Sequence, residues 1–211
     1  MSKADATIYI VDDDLSVRKS LLRLLRSAGW QAEAFASATE FLARPSLPAI
    51  GCLILDVRMP GMTGPELRDR LEARRISLPV IFLTGHGDVT TGVEAMKKGA
   101  VDFLVKPVDA QLLLETIELA LQRHRAARAQ TRELEQIHER VARLSDRERE
   151  VMEHVIAGSL NKQTGDALGI AEKTVKVHRS RVMQKMEVNS VAELVHLCET
   201  AGLHPRKLAA P

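Results

Sequence analysis

Nowhere in its 211 residues does this chain hold an apolar run approaching the ~18 residues of a membrane-spanning helix. Its first residues, MSKADAT, are not followed by the apolar stretch and small-residue cleavage site of a signal peptide, so the expected location is the cytoplasm. Cysteine is scarce: Cys52 and Cys198 lie far apart and form no CxxC, which argues against a disulfide framework or a thiolate metal site. Cys52, inside the apolar run CLIL, reads as a small buried hydrophobe. No repeat or low-complexity segment stands out. What remains is ordinary for a globular protein, 45% hydrophobic and 27% charged, and long enough for one large domain or two small ones.

The charge is unevenly spread. Residues 1–122 carry 14 Lys/Arg against 16 Asp/Glu, whereas residues 123–211 carry 16 against 12. Within 161–185, Lys162, Lys173, Lys176, Arg179, Arg181 and Lys185 face only Asp166 and Glu172. A basic C-terminal half points to nucleic acid; the blander reading is a solvated helix face, and charge alone does not separate them.

Up to residue 122 the pattern alternates. Short apolar runs at 7–11, 52–55, 79–83 and 101–105, with a weaker one at 31–35, read as strands. Helical periods fall at 15–28, 37–43, 64–75, 89–98 and from 109 onward. Such alternation predicts an α/β doubly wound fold, a five-stranded parallel sheet with helices on both faces. From 109 the helical pattern continues to about 144 with neither Gly nor Pro. Leu134, Ile137, Val141 and Leu144 are spaced as in a coiled-coil seam, so the helix either pairs with a second copy over its last turns or docks on the next domain. The rest is helical. Ser145-x-x-Glu148 is a capping box, Asn161 reads as the cap of a short helix ending near Gly169, and two more helices cover 172–186 and 190–201. The tail GLHPRKLAAP reads as frayed.

The chemistry lies at the strand ends. In open α/β sheets, sites form outside the carboxyl ends of the strands. There the chain places Asp12 and Asp13, Asp56, Thr84 and Lys106. Three clustered carboxylates need a cation, and hard oxygen donors suit Mg²⁺. An Asp nucleophile with Mg²⁺, a lysine and a hydroxyl is the equipment of phosphoryl transfer. Asp14 has no partner in that chemistry and reads as a cap for the helix starting near Leu15.

The segments IVDDD, LILDVRMPGMTG, IFLTGHG and FLVKP resemble the receiver domain of two-component response regulators over about 1–122. The resemblance implies a sheet in the order 2-1-3-4-5 and Asp56 as acceptor of phosphate from a sensor histidine kinase. It implies that Asp13 ligates Mg²⁺ directly, Asp12 largely through water, and the Arg58 backbone carbonyl as a third ligand. Thr84 and Phe103 match the switch pair, although plain core packing would also explain Phe103. Lys106 matches the phosphoryl contact, ahead of a cis bond to Pro107. The family's dimer-forming face corresponds here to about 89–105. Asp12-x-Asp14 also resembles the DxD of haloacid-dehalogenase-type phosphatases, but 107–125 lacks their later acidic pair.

In the helix around residues 172–186, stepping about 100° per residue puts Val182 and Met186 within roughly 20° of Val175, a stripe to bury. Lys173, Val177, Ser180 and Gln184 fall opposite, with Lys176 and Arg181 alongside. A short helix, a tight turn and this basic helix make a helix-turn-helix. Lys176 would read a guanine, Val177 a thymine methyl and Ser180 a base edge, while Lys173, Arg181 and Lys185 would neutralise phosphates. Arg179 sits nearer the buried side, within reach of Glu148, Glu150 or a phosphate. LSDREREVMEHVIAGSLNKQTGDALGIAEKTVKVH resembles the LuxR-type four-helix DNA-binding domain, and the whole chain is similar to FixJ-like regulators of the NarL/FixJ family. Three residues depart from the pattern. Thr164 and Gly165 stand where a larger aliphatic and an alanine are expected, and Gly165 should weaken its helix by up to about 1 kcal/mol. Ala171 replaces a Ser-type cap, a loss of roughly 1 kcal/mol.

The expectation is therefore a receiver domain (1–122), a linker helix (123–143) and a helix-turn-helix domain (144–205). The function implied is a DNA-binding response regulator that catalyses only its own Mg²⁺-dependent phosphorylation and dephosphorylation. Its implied partners are a sensor histidine kinase, double-stranded DNA, RNA polymerase and, when phosphorylated, a second copy through either the receiver face or the linker helix; no membrane is involved. The rival is a receiver that takes up phosphate as a signalling scaffold, with a helix-turn-helix that no longer binds DNA.

Overall fold

The computed structural model describes residues 5–45, 50–85 and 102–204. The chain divides into two compact units, Met1–Ala127 and Arg128–Pro211. The first runs β1 (Thr7–Val11), α1 (Leu15–Ser27), β2 (Gln31–Phe35), α2 (Ala38–Leu42), β3 (Gly51–Asp56), α3 (Gly64–Ala73), β4 (Val80–Thr84) and β5 (Asp102–Val105), followed by α4 (Ala110–Ala142). The helix expected at 89–98, most of the 89–105 face and the end of the tail lie outside the described residues. The division at Ala127 falls inside α4, whose second half spans most of the linker 123–143 expected to continue the last receiver helix.

The sheet is parallel with order β2-β1-β3-β4-β5, as the resemblance implied. Strand alternation divides its core between two faces. Ile8, Ile10, Cys52, Ile54, Ile81 and Leu83 pack with Leu21 and Leu25 of α1 and Leu113 and Ile117 of α4. Tyr9, Val11, Leu53, Leu55 and Phe82 pack with Phe41 of α2 and Leu67 and Leu71 of α3. Every residue of β1 and β3 is buried, which is why these strands read as continuous apolar runs. Both cysteines are free and buried, and burial pushes the Cys52 thiol up to about 12.

Register carries this fold to its functional edge. Val11 pairs with Leu55, so Asp12 and Asp56 follow side by side. Asp56 pairs with Leu83, one residue before Thr84, and Thr84 pairs with Val105, one residue before Lys106.

The second unit holds the end of α4, then α5 (Asp146–Ile156), α6 (Asn161–Leu168), α7 (Glu172–Met186) and α8 (Val191–Thr200). Its core joins Val151, Met152 and Val155 of α5 to Leu194 and Cys198 of α8 and to Val175, Val182 and Met186 of α7. The last three are the predicted stripe, and each is fully buried. The seam of α4 is covered by this same core: Ile137, Val141 and Leu144 are 3%, 6% and 6% exposed. These three residues dock within their own unit, the second of the two expectations, while Leu134 is half-buried.

Two local expectations need correction. Asn161 does not cap α6. Leu160 holds the cap position, its N–H donating to Gln163 Oε1 at 2.8 Å, while Asn161 Oδ1 accepts from Arg179 at 3.1 Å. Gly165 is more than a weak helix former, because a Cβ there would lie 2.7 Å from the Ile170 carbonyl oxygen. Its absence lets the turn Gly169–Ile170–Ala171 fold tightly, with Ile170 N–H bonded to the Gly165 carbonyl at 3.0 Å. Thr164 is buried and donates its hydroxyl to the Leu160 carbonyl at 3.1 Å, and Ala171 caps α7 with no side-chain bond.

Candidate functional site

Beyond β1 the three aspartates separate at once. Asp14 is the N-cap of α1, its Oδ1 accepting from Ser16 N–H at 2.7 Å and Val17 N–H at 3.3 Å. Asp12 is buried. Its Oδ1 accepts from Asp14 N–H at 2.9 Å, its Oδ2 from Lys106 Nζ at 2.6 Å, and its carbonyl from Arg18 at 2.6 Å. Asp13 is exposed, yet a carboxylate oxygen from each of Asp12, Asp13 and Asp56 lies within 4.8 Å of the others.

The loop after β3 fixes Asp56. Thr63 and Glu66 form a reciprocal capping box that starts α3. Gly64 is pressed against β3: its N–H reaches the Val57 carbonyl at 3.1 Å, and a Cβ there would collide with the Asp56 carbonyl oxygen. Any larger residue at 64 would displace the strand end that carries Asp56. Lys106 directly follows β5 and precedes a cis bond to Pro107, with Nζ 2.9 Å from Asp56 Oδ1 as well as beside Asp12. Thr84 is buried and its hydroxyl donates to the Gly85 carbonyl at 3.2 Å. Half-buried Phe103 pairs in register with Phe82 and packs on the α2–α3 side of the sheet. Arg58 is exposed in the loop after Asp56.

Among the described residues, three carboxylates cluster and the Lys106 ammonium bonds to two of them, Asp12 and Asp56. Burial raises the Asp56 carboxyl above its ordinary value; Lys106 opposes this, and Asp12 and Asp13 reinforce it. For Lys106, burial pulls down, but the bonds to Asp12 and Asp56 outweigh it and its ammonium is held more firmly. A buried carboxylate left short of positive charge is a place for a cation. The all-oxygen donor set, with exposed Asp13 on the water side, fits Mg²⁺, which keeps several of its waters.

In the second unit, Lys173, Lys176, Val177, Ser180, Arg181 and Gln184 are all exposed on α7, Val177 at 46%. Lys176 pairs with Glu172 one turn back at 2.9 Å. Lys185, expected at a phosphate, bonds through Nζ to Glu148 Oε2 at 2.6 Å and to the Arg143 carbonyl at 3.0 Å. Sequence reading missed the Arg18–Asp12 bond, the Asn161–Arg179 bond and the Lys185–Glu148 pair. The last two join residues distant in the chain, and no local period marks them.

Two family models match this chain: the response regulator receiver domain over residues 8–118, and the bacterial regulatory proteins of the luxR family over 142–198. Nodulation protein W of Bradyrhizobium diazoefficiens is 43% identical over 94% of this chain and 87% of its own length. The transcriptional regulatory protein FixJ of the same organism is 46% identical over 93% of this chain and 96% of its own. Among solved structures, the response regulator StyR is similar with a TM-score of 0.86 and 47% identity, over 93% of this chain and 99% of that one. Among the described residues, no helix is long and apolar enough to cross a membrane.

Proposed function

Because the chain belongs to the response regulators that join a receiver domain to a LuxR-type DNA-binding domain, we propose that phosphate on Asp56 controls its binding to promoters. The observation that carries this reading is the cluster of Asp12, Asp13 and Asp56, two of which bond to Lys106. A carboxylate oxygen of Asp56 attacks the phosphorus of a phosphohistidine on a sensor kinase. A P–O bond forms, the P–N bond breaks, and the imidazole leaves with the electron pair. Asp12, Asp13, Asp56 and the Arg58 carbonyl would hold Mg²⁺, which when bound supplies positive charge to the phosphoryl oxygens. Lys106 then exchanges its bond to the Asp56 carboxylate for the transferred phosphoryl group. The Thr84 hydroxyl leaves the Gly85 carbonyl to donate to a phosphoryl oxygen, and Phe103 on the neighbouring strand turns with it. The chain turns over no other substrate.

The output is the exposed face of α7 in a major groove, with Lys176, Val177 and Ser180 toward base edges and Lys173 and Arg181 toward phosphates. Phosphorylation shifts the population of the 89–105 face toward a dimer, so that two copies bind paired half-sites and engage RNA polymerase. The burial of Ile137, Val141 and Leu144 favours this face over the linker seam. The test is labelling by acetyl phosphate with Mg²⁺. Wild type takes up label and Asp56→Asn does not; equal uptake by both would remove the acceptor assignment.

A further inference from the structure

The C-terminal end of α7 is tied to two other elements. Glu148 of α5 is the acidic member of the capping box, and its Oε2 accepts from Ser145 N–H at 2.9 Å. The same oxygen lies 2.6 Å from Lys185 Nζ, which also donates to the Arg143 carbonyl beyond the end of α4 at 3.0 Å. Arg140 of α4 donates to the Met186 carbonyl at 3.3 Å and pairs with Glu187 at 2.9 Å. One end of the recognition helix is thus clamped by α4 and α5, while its opposite face carries the exposed residues.

The burial of its partner separates Lys185 from Lys176. Its carboxylate partner is 5% exposed, whereas the Lys176–Glu172 pair is 62% and 48% exposed. An exposed pair within one helix is worth little and opens readily to a phosphate. Withdrawing Lys185 would strand a buried charge, which is far costlier. Resting on the DNA-binding reading above, we propose that Lys185 is a positioning residue. Through Glu148 it sets the angle at which α7 meets the groove, and it makes no phosphate contact. The hydrogen bond from Lys185, with that from the Ser145 backbone, holds the Glu148 carboxyl down at about 2, as expected of a committed pair.

The experiment uses the full chain, with acetyl phosphate and Mg²⁺ present throughout, as wild type, Lys185→Met, Lys185→Arg and Arg181→Ala. Affinity is read by fluorescence anisotropy over a salt series on two labelled duplexes, one random in sequence and one enriched by wild type from a random pool. Arg181→Ala should lower the slope of log affinity against log salt by about 0.9. Lys185→Met should keep the wild-type slope on the random duplex and lose preference for the enriched one, and Lys185→Arg should recover it. A slope lowered by about 0.9 in Lys185→Met would make Lys185 a phosphate contact, and an unchanged preference would remove its positioning role. Amide exchange gives a readout without DNA. Protection over 183–188 should fall about tenfold in Lys185→Met, the effect of losing a charged hydrogen bond, and return in Lys185→Arg. Unchanged protection would overturn the clamp. Wild type that binds neither duplex would end the DNA reading, and the clamp would then stand or fall on exchange alone.

Discussion

At the edge of the sheet, Asp12, Asp13 and Asp56 cluster and Lys106 bonds to two of them; at the end of α7, Glu148 and Lys185 stand one to one. The first cluster keeps the Asp56 carboxyl above its ordinary value by burial, with like charges adding to it. The second holds the Glu148 carboxyl down at about 2. The same chemistry of carboxylate and lysine therefore serves opposite ends. In the proposed function the first set takes up a cation and a phosphoryl group. A balanced set is closed and holds helices in place.

The largest effect should come from breaking the open cluster. Asp13→Ala removes the exposed oxygen ligand and should abolish Mg²⁺-dependent uptake of label from acetyl phosphate while the melting temperature barely changes. In the closed pair, Glu148→Gln should destabilise the helical unit by about 2 kcal/mol, measured by urea unfolding, since a charged hydrogen bond is lost and Lys185 is left unpaired. Its pH dependence has a definite sign. The folded carboxyl sits near 2, below its ordinary 4.5, so the stabilisation is complete above about pH 4.5 and is lost as pH falls toward 2. The stability difference between wild type and Lys185→Met should shrink over that same window; a difference constant with pH would dissolve the contrast.

Smaller effects sharpen the comparison. Gly165→Ala should destabilise by about 1–2 kcal/mol in thermal unfolding, because the new Cβ meets the Ile170 carbonyl. Helix propensity alone predicts a gain of about 1 kcal/mol, so the sign decides which effect rules. Asp14→Ala should cost about 1 kcal/mol, the worth of a cap, and leave phosphoryl uptake intact, which separates the third aspartate from its two neighbours.

The sheet edge was legible from the sequence because its logic is local. An apolar run ends in a polar residue, and parallel pairing brings such ends together, so Asp12, Asp13, Asp56 and Lys106 could be grouped before any distance was known. The stripe Val175, Val182 and Met186 was legible for the same reason, as one helical period. The fate of the linker seam was not, because a spacing of 3, 4, 3 suits a second copy and a neighbouring core equally well. Nor was the partner of Lys185, since a helical wheel shows direction but not what stands there. Gly165 was misread because propensity describes a helix alone, and its reason is the carbonyl of the next turn.

The central claim is that Asp56 and the recognition helix belong to one switch. The most direct measurement is DNA affinity of the full chain on a wild-type-enriched duplex, with and without acetyl phosphate and Mg²⁺, for wild type and Asp56→Asn. The account predicts tighter binding on phosphorylation in wild type and no change in Asp56→Asn. The same affinity in all four conditions would contradict it.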